Sequence, residues 1–165
     1  MFVVHADYRQ FSLRDKASHQ SWLRTHPRRD VWTDEAVTRH RIGAEPHSLS
    51  IGTARSDLVE VIVNVGDTPP AVLADADHVV EADLDVPSGE LSLFGPADYP
   101  GQQRHLPVAP GRYRVRVSYL QAGPPDAEWN DFEYGDHLRY VLDLWPVPAA
   151  SDLVVLKQGG DLWDG

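Results

Sequence analysis

Eight histidines are the first residues in this 165-residue chain whose type could do chemistry: His5, His19, His26, His40, His47, His78, His105 and His137. Imidazole is a common metal ligand and a general base near neutral pH. Such sites usually show in the spacing, as i, i+2 pairs on a strand or i, i+4 pairs on a helix. None of the eight forms either pair, so scattered solvated side chains are the plain reading. Asp75-Ala76-Asp77 begins like a calcium loop but lacks the glycine and terminal glutamate of one. Asp83 and Asp85 alternate along a strand-like stretch, and such acids ordinarily form a solvated face. His5-Ala6-Asp7 offers a base and an orienting acid with no positioned Ser or Cys nucleophile. Arg28, Arg29, Arg39 and Arg41 are nuclease-type cations without a local metal-binding carboxylate motif. There is no Walker A loop, dinucleotide fingerprint, G-x-S-x-G elbow or H-E-x-x-H, and no cysteine. These patterns point away from an enzyme, and no catalytic residue, metal or cofactor is expected.

Residues 126–136 are different. Asp126, Glu128, Asp131, Glu133 and Asp136 are interleaved with Trp129, Phe132 and Tyr134. Aromatics anchor interfaces by burying area, and carboxylates around them steer a basic partner. The same aromatics could equally pin a loop to the core. The charge layout bears on this choice. Net charge is −10, with +3 over residues 1–55 and −13 over residues 56–165. An acidic body repels nucleic acid and attracts basic proteins such as nucleases. Acidity can also serve solubility alone.

The elements that must position these residues are mostly strands. Phe2 to Arg14 reads as a strand whose apolar parity switches, which suggests a bulge or bend near Arg9-Gln10. Asp15 to His26 is polar and reads as a loop or one weak helical turn. Trp32 to Val37 reads as a short helix capped by Thr33. Ser48–Gly52 is a short strand, and Leu58–Val65 is the most apolar strand, expected at the centre of a sheet. Two phrases, Leu84 to Phe94 and Leu106 to Val117, each place a proline and a glycine before strict polar/apolar alternation. Glu81, Asp83 and Asp85 share one strand face; Arg112, Arg114 and Arg116 share another. The two rows could meet across a ladder, unless a strand over residues 91–94 intervenes. His137–Trp145 and Leu153–Leu156 complete the set.

This pattern predicts an all-β fold, a β-sandwich of about eight or nine short, mainly antiparallel strands with one short helix. A single domain over residues 1–158 with a loose tail at 159–165 is expected. The N-terminus lacks the features of a signal peptide, and no apolar run approaches the ~20 residues that span a bilayer. A cytoplasmic location with no membrane contact is the expectation.

Four stretches resemble the bacterial competence protein J (ComJ) family. They are Asp7 to Leu13, the Trp-Thr-Asp-Glu block within Asp30 to Val37, the paired strands of Ser48 to Val65, and the hairpin-like Val80 to Val117. The resemblance covers residues 6–120. It implies a small acidic intracellular protein that binds and inhibits a DNA-entry nuclease, with no catalytic residues. The chain departs from the family in the insertion-like stretch Asp15–Arg29 and the extended part beyond residue 123. Both leave room for a different nuclease or toxin as partner, as in immunity proteins. Two other classes stay open. One is a small-molecule or carbohydrate-binding module stacking its ligand on Trp22, Trp129 or Trp145. The other is a metal-dependent hydrolase built from the scattered histidines.

Overall fold

The structure, a computed structural model, describes residues 1–121 and 138–162. Within them, alternating apolar residues build eleven strands in two facing sheets. The first sheet runs in the order β1 (Phe2–His5), β5 (Leu58–Val65), β10 (Leu138–Pro146), β9 (Gly111–Gln121), β6 (His78–Val86) and β11 (Val154–Lys157). The second runs β3 (Ile42–Glu45), β4 (Ser48–Gly52), β2 (Gln10–Arg14), β7 (Glu90–Phe94) and β8 (Arg104–Pro107). Only β5 and β10 pair in parallel among these strands. The fold is the expected all-β sandwich.

The period-2 pattern puts one parity of each strand into a shared core. Leu84, Val115, Val117 and Leu142 of the first sheet are buried with Phe11, Leu13, Leu49, Ile51 and Leu93 of the second. An edge-to-face aromatic row runs through that core. Phe11 lies 5.5 Å from Tyr140, Tyr140 5.2 Å from Tyr119, and Tyr119 5.2 Å from His78. Offset contacts of this kind add to the area that the rings bury.

Several elements differ from the sequence expectation. Phe2–Arg14 is two strands in opposite sheets, joined by a 3₁₀ turn at Asp7–Arg9. Tyr8 and Arg9 both adopt φ 55°, in the left-handed region. The parity switch therefore marks a change of sheet, not a bulge within one. Gly95 is needed beside this crossing, because a Cβ there would collide with the His5 carbonyl. Ser48–Gly52 and Leu58–Val65 also belong to opposite sheets and do not pair. Leu58–Val65 is second from an edge, since β1 covers only its first four residues and Val65 is exposed.

The polar stretch after Arg14 is an α-helix, α1 (Lys16–Leu23), where a loop or weak turn is the sequence reading. Its few apolar residues hide it, and the cap sustains it. The buried Asp15 carboxylate accepts from the N–H of Ser18 at 3.1 Å and from that of Ser88 at 3.0 Å. Burial alone would raise the Asp15 pKa, but the Ser88 and Ser18 hydrogen bonds outweigh it and hold the carboxyl below its usual value. The second helix, α2 (residues 34–40, with Ala36–His40 wound as a π-helix), is capped as expected, the Ala36 N–H donating to Thr33 Oγ1 at 3.2 Å. Strands β3 and β8, four residues each at the edges of the second sheet, carry no clear signal in the sequence.

Candidate functional site

The acidic and basic rows meet. In the β6–β9 register Glu81 lies opposite Arg116, Asp83 opposite Arg114 and Asp85 opposite Arg112. The 91–94 strand sits in the other sheet and does not intervene. Arg116 Nε lies 2.7 Å from Glu81, Arg114 Nη1 2.9 Å from Asp83, and Arg112 Nε 2.7 Å from Asp85. Arg114 also reaches Glu81 at 3.5 Å. The rows are not the solvated face that the alternation suggests. The Arg114 and Arg116 side chains are only 7% exposed. Arg114 donates to the Ser151 and Asp152 carbonyls, Arg116 donates to the Pro70 carbonyl, and Arg116 stacks over Trp145. The 66–77 connector and the segment after β10 thus lie over the ladder. Glu81 and Asp83 are thereby enclosed in the scaffold, while the Arg112–Asp85 rung stays about one-third exposed.

Asp126, Glu128, Trp129, Asp131, Phe132, Glu133, Tyr134 and Asp136 all lie outside the described residues. The residues that flank the stretch, Gln121 and Leu138, are paired across β9 and β10 at one end of the sandwich. Gln121 Nε2 donates to Asp77 at 2.8 Å there. By register the same end holds the Asp7–Arg9 turn, the start of β5 and the β7–β8 loop. That end presents Tyr8 at 81% exposure and Tyr99 at 75%. Sequence reasoning missed both as surface aromatics. The parity switch at Tyr8 and the Tyr99-Pro100-Gly101 turn were the available signals. Asp75 and Asp77 are exposed at this end as well.

The histidines do different jobs. His78 is fully buried; its Nε2 lies 2.9 Å from the His40 carbonyl and its Nδ1 accepts the Gly159 N–H at 3.1 Å. Only the neutral ring satisfies both bonds. Burial pushes its pKa from 6.5 down to about 4, against the His40 hydrogen bond. Gly160 is held too, its carbonyl accepting from the Arg41 guanidinium. His19 pairs with Glu45 at 3.1 Å and His105 with Glu90 at 3.1 Å. Among the described residues no three His, Asp or Glu side chains converge as metal ligands.

The tryptophans of the ligand-binding alternative are separated. Trp22 lines a cleft of about 530 Å³ between the 22–36 segment, β3 and Leu153. Trp145 is buried beneath Arg116 on the first sheet, and Trp129 lies outside the described residues.

This architecture is found in solved structures. ComJ from Bacillus subtilis, described as an inhibitor of the DNA-degrading activity of NucA, superposes with a TM-score of 0.63 at 18% identity, covering 88% of this chain and 94% of that one. The fold is ComJ-like. A protein described as crocagin biosynthetic gene J superposes with a TM-score of 0.58 at 19% identity and the same coverage. No protein-family model and no curated protein matches the chain. At this identity the ComJ likeness is one of fold. The Val80–Val117 stretch is not the single hairpin that the resemblance suggests: β6 and β9 pair directly, and β7 and β8 between them belong to the opposite sheet.

Proposed function

We propose that the protein is a non-catalytic inhibitor that binds and neutralises a basic nuclease or nuclease toxin. The observation that carries this reading is the fold shared with ComJ, a nuclease inhibitor, across 88% of the chain. The −13 charge beyond residue 55 suits a basic partner. The proposed contact is the end flanked by Gln121 and Leu138, with Asp126, Glu128, Trp129, Asp131, Phe132, Glu133, Tyr134 and Asp136 supplying it. Exposed Tyr8 and Tyr99 extend this end with rigid aromatic area.

Recovery of partners from the native cell, followed by titration of the recovered nuclease with the purified chain, tests the reading. The expected result is stoichiometric loss of DNA degradation. Recovery of no nuclease, with no loss of activity on titration, counts against it. The combined change Asp131→Asn, Glu133→Gln and Asp136→Asn is expected to slow association roughly tenfold at low salt and to flatten its salt dependence. Unchanged kinetics would exclude this stretch as the contact.

A further inference from the structure

A second set of arginines lies on the outer face of the second sheet. Here a cleft of about 310 Å³ has Gln10, Arg14 and Ser50 from β2 and β4 on one side and Arg28, Arg29 and Trp32 from the segment before α2 on the other. Arg14 Nε donates to Ser48 Oγ at 2.8 Å, and its guanidinium lies over the Phe94 ring at 5.1 Å. Lys16 Nζ sits over the same ring at 4.4 Å. Among the described residues, Arg14, Arg28 and Arg29 form no ion pair. The terminal amino groups of Arg14 have no protein acceptor among them either.

Two carboxylates also line the cleft, each held by a neighbour within it. Glu45 faces His19 Nε2 at 3.1 Å, and Asp30 Oδ1 accepts the Trp32 N–H at 2.9 Å. Burial lowers the Arg14 pKa, Glu45 opposes this, and the nearby Arg28 charge pushes the same way as burial. Arg14 is thus a partly desolvated cation with Arg28 close by, and the three guanidiniums of the cleft outnumber its two carboxylates.

We propose that this cleft binds a phosphate group, as the free ion or as the monoester of a small molecule. Guanidinium forks match phosphate oxygens in bidentate geometry, and a dianion answers several cations at once. The size of the cleft and the net charge of −10 favour a small anion over a nucleic acid strand.

Titration calorimetry of the full chain at low ionic strength, with chloride as the other anion, tests this with inorganic phosphate, a nucleoside 5′-monophosphate and the parent nucleoside. Phosphate is expected to bind. Arg28→Gln should weaken it about tenfold, while Arg55→Gln, an exposed control of equal charge, should change it less than about twofold. Tighter binding of the monophosphate identifies the monoester as the ligand class; equal binding identifies the free ion. Absence of heat with phosphate up to about 20 mM overturns the proposal. Equal weakening by both substitutions, or a nucleoside binding as well as its monophosphate, overturns it too. Arg28 is exposed, so an unchanged urea midpoint is expected to verify that the variant folds.

Discussion

Two groups of three guanidiniums, one on the outer face of each sheet, are treated in opposite ways. On the first sheet Arg112, Arg114 and Arg116 stand at every second residue of β9, and the neighbouring strand meets each with a carboxylate. On the second sheet Arg14 comes from β2 and Arg28 and Arg29 from the segment before α2, and none has such a partner among the described residues. A basic row answered in register is structural. Cations brought together by a folded-over segment, and left unanswered, are available to something else.

The contrast can be broken at its strongest point with Glu81→Ala. This carboxylate bridges both Arg114 and Arg116, whose side chains are nearly enclosed. Removing one member of a buried ion network leaves uncompensated charge, and about 3–5 kcal/mol of stability is expected to be lost in urea unfolding. A loss under about 1 kcal/mol would mean that the ladder behaves as an ordinary surface.

A smaller effect separates matched charge from excluded charge. His78 is kept neutral in the fold, while the unfolded chain takes up its proton below the ordinary value of 6.5. Its contribution is present in full above pH 6.5 and falls as pH drops toward the folded value of about 4. The slope is about 1.4 kcal/mol per pH unit, on the order of 3 kcal/mol in all. Stability curves against pH for the parent chain and His78→Gln should differ by one proton across this window. Identical slopes would contradict the assignment.

The least effect belongs to the unanswered face. Arg28→Gln should move unfolding by no more than about 0.5 kcal/mol, since no ion pair is lost. A clearly larger loss would place Arg28 among the structural arginines and erase the contrast.

Much of the first sheet was legible because β6 and β9 write their pairing in alternating charge, which local periodicity exposes. The assignment of β2, β4 and β7 to a second sheet was not. It depends on where the chain crosses, and Phe2–Arg14 hides its crossing inside a run that looks like one strand. Helix α1 was obscured for another reason. Its support is one buried carboxylate, Asp15, whose partner Ser88 lies 73 residues away. The unpaired arginines were visible as residues but not as a group, because only the fold brings Arg14 beside Arg28.

The parallel pairing of β5 with β10 has a consequence for how the chain emerges from a ribosome. β10 is the wedge between β5 and β9, and it begins only at Leu138. Until that segment is made, both neighbours present open edges, and that of β5 is rich in valine. Vectorial folding therefore stalls late, since long-range pairing must wait for the last strands. A chain ending at residue 121 is expected to accumulate as aggregate.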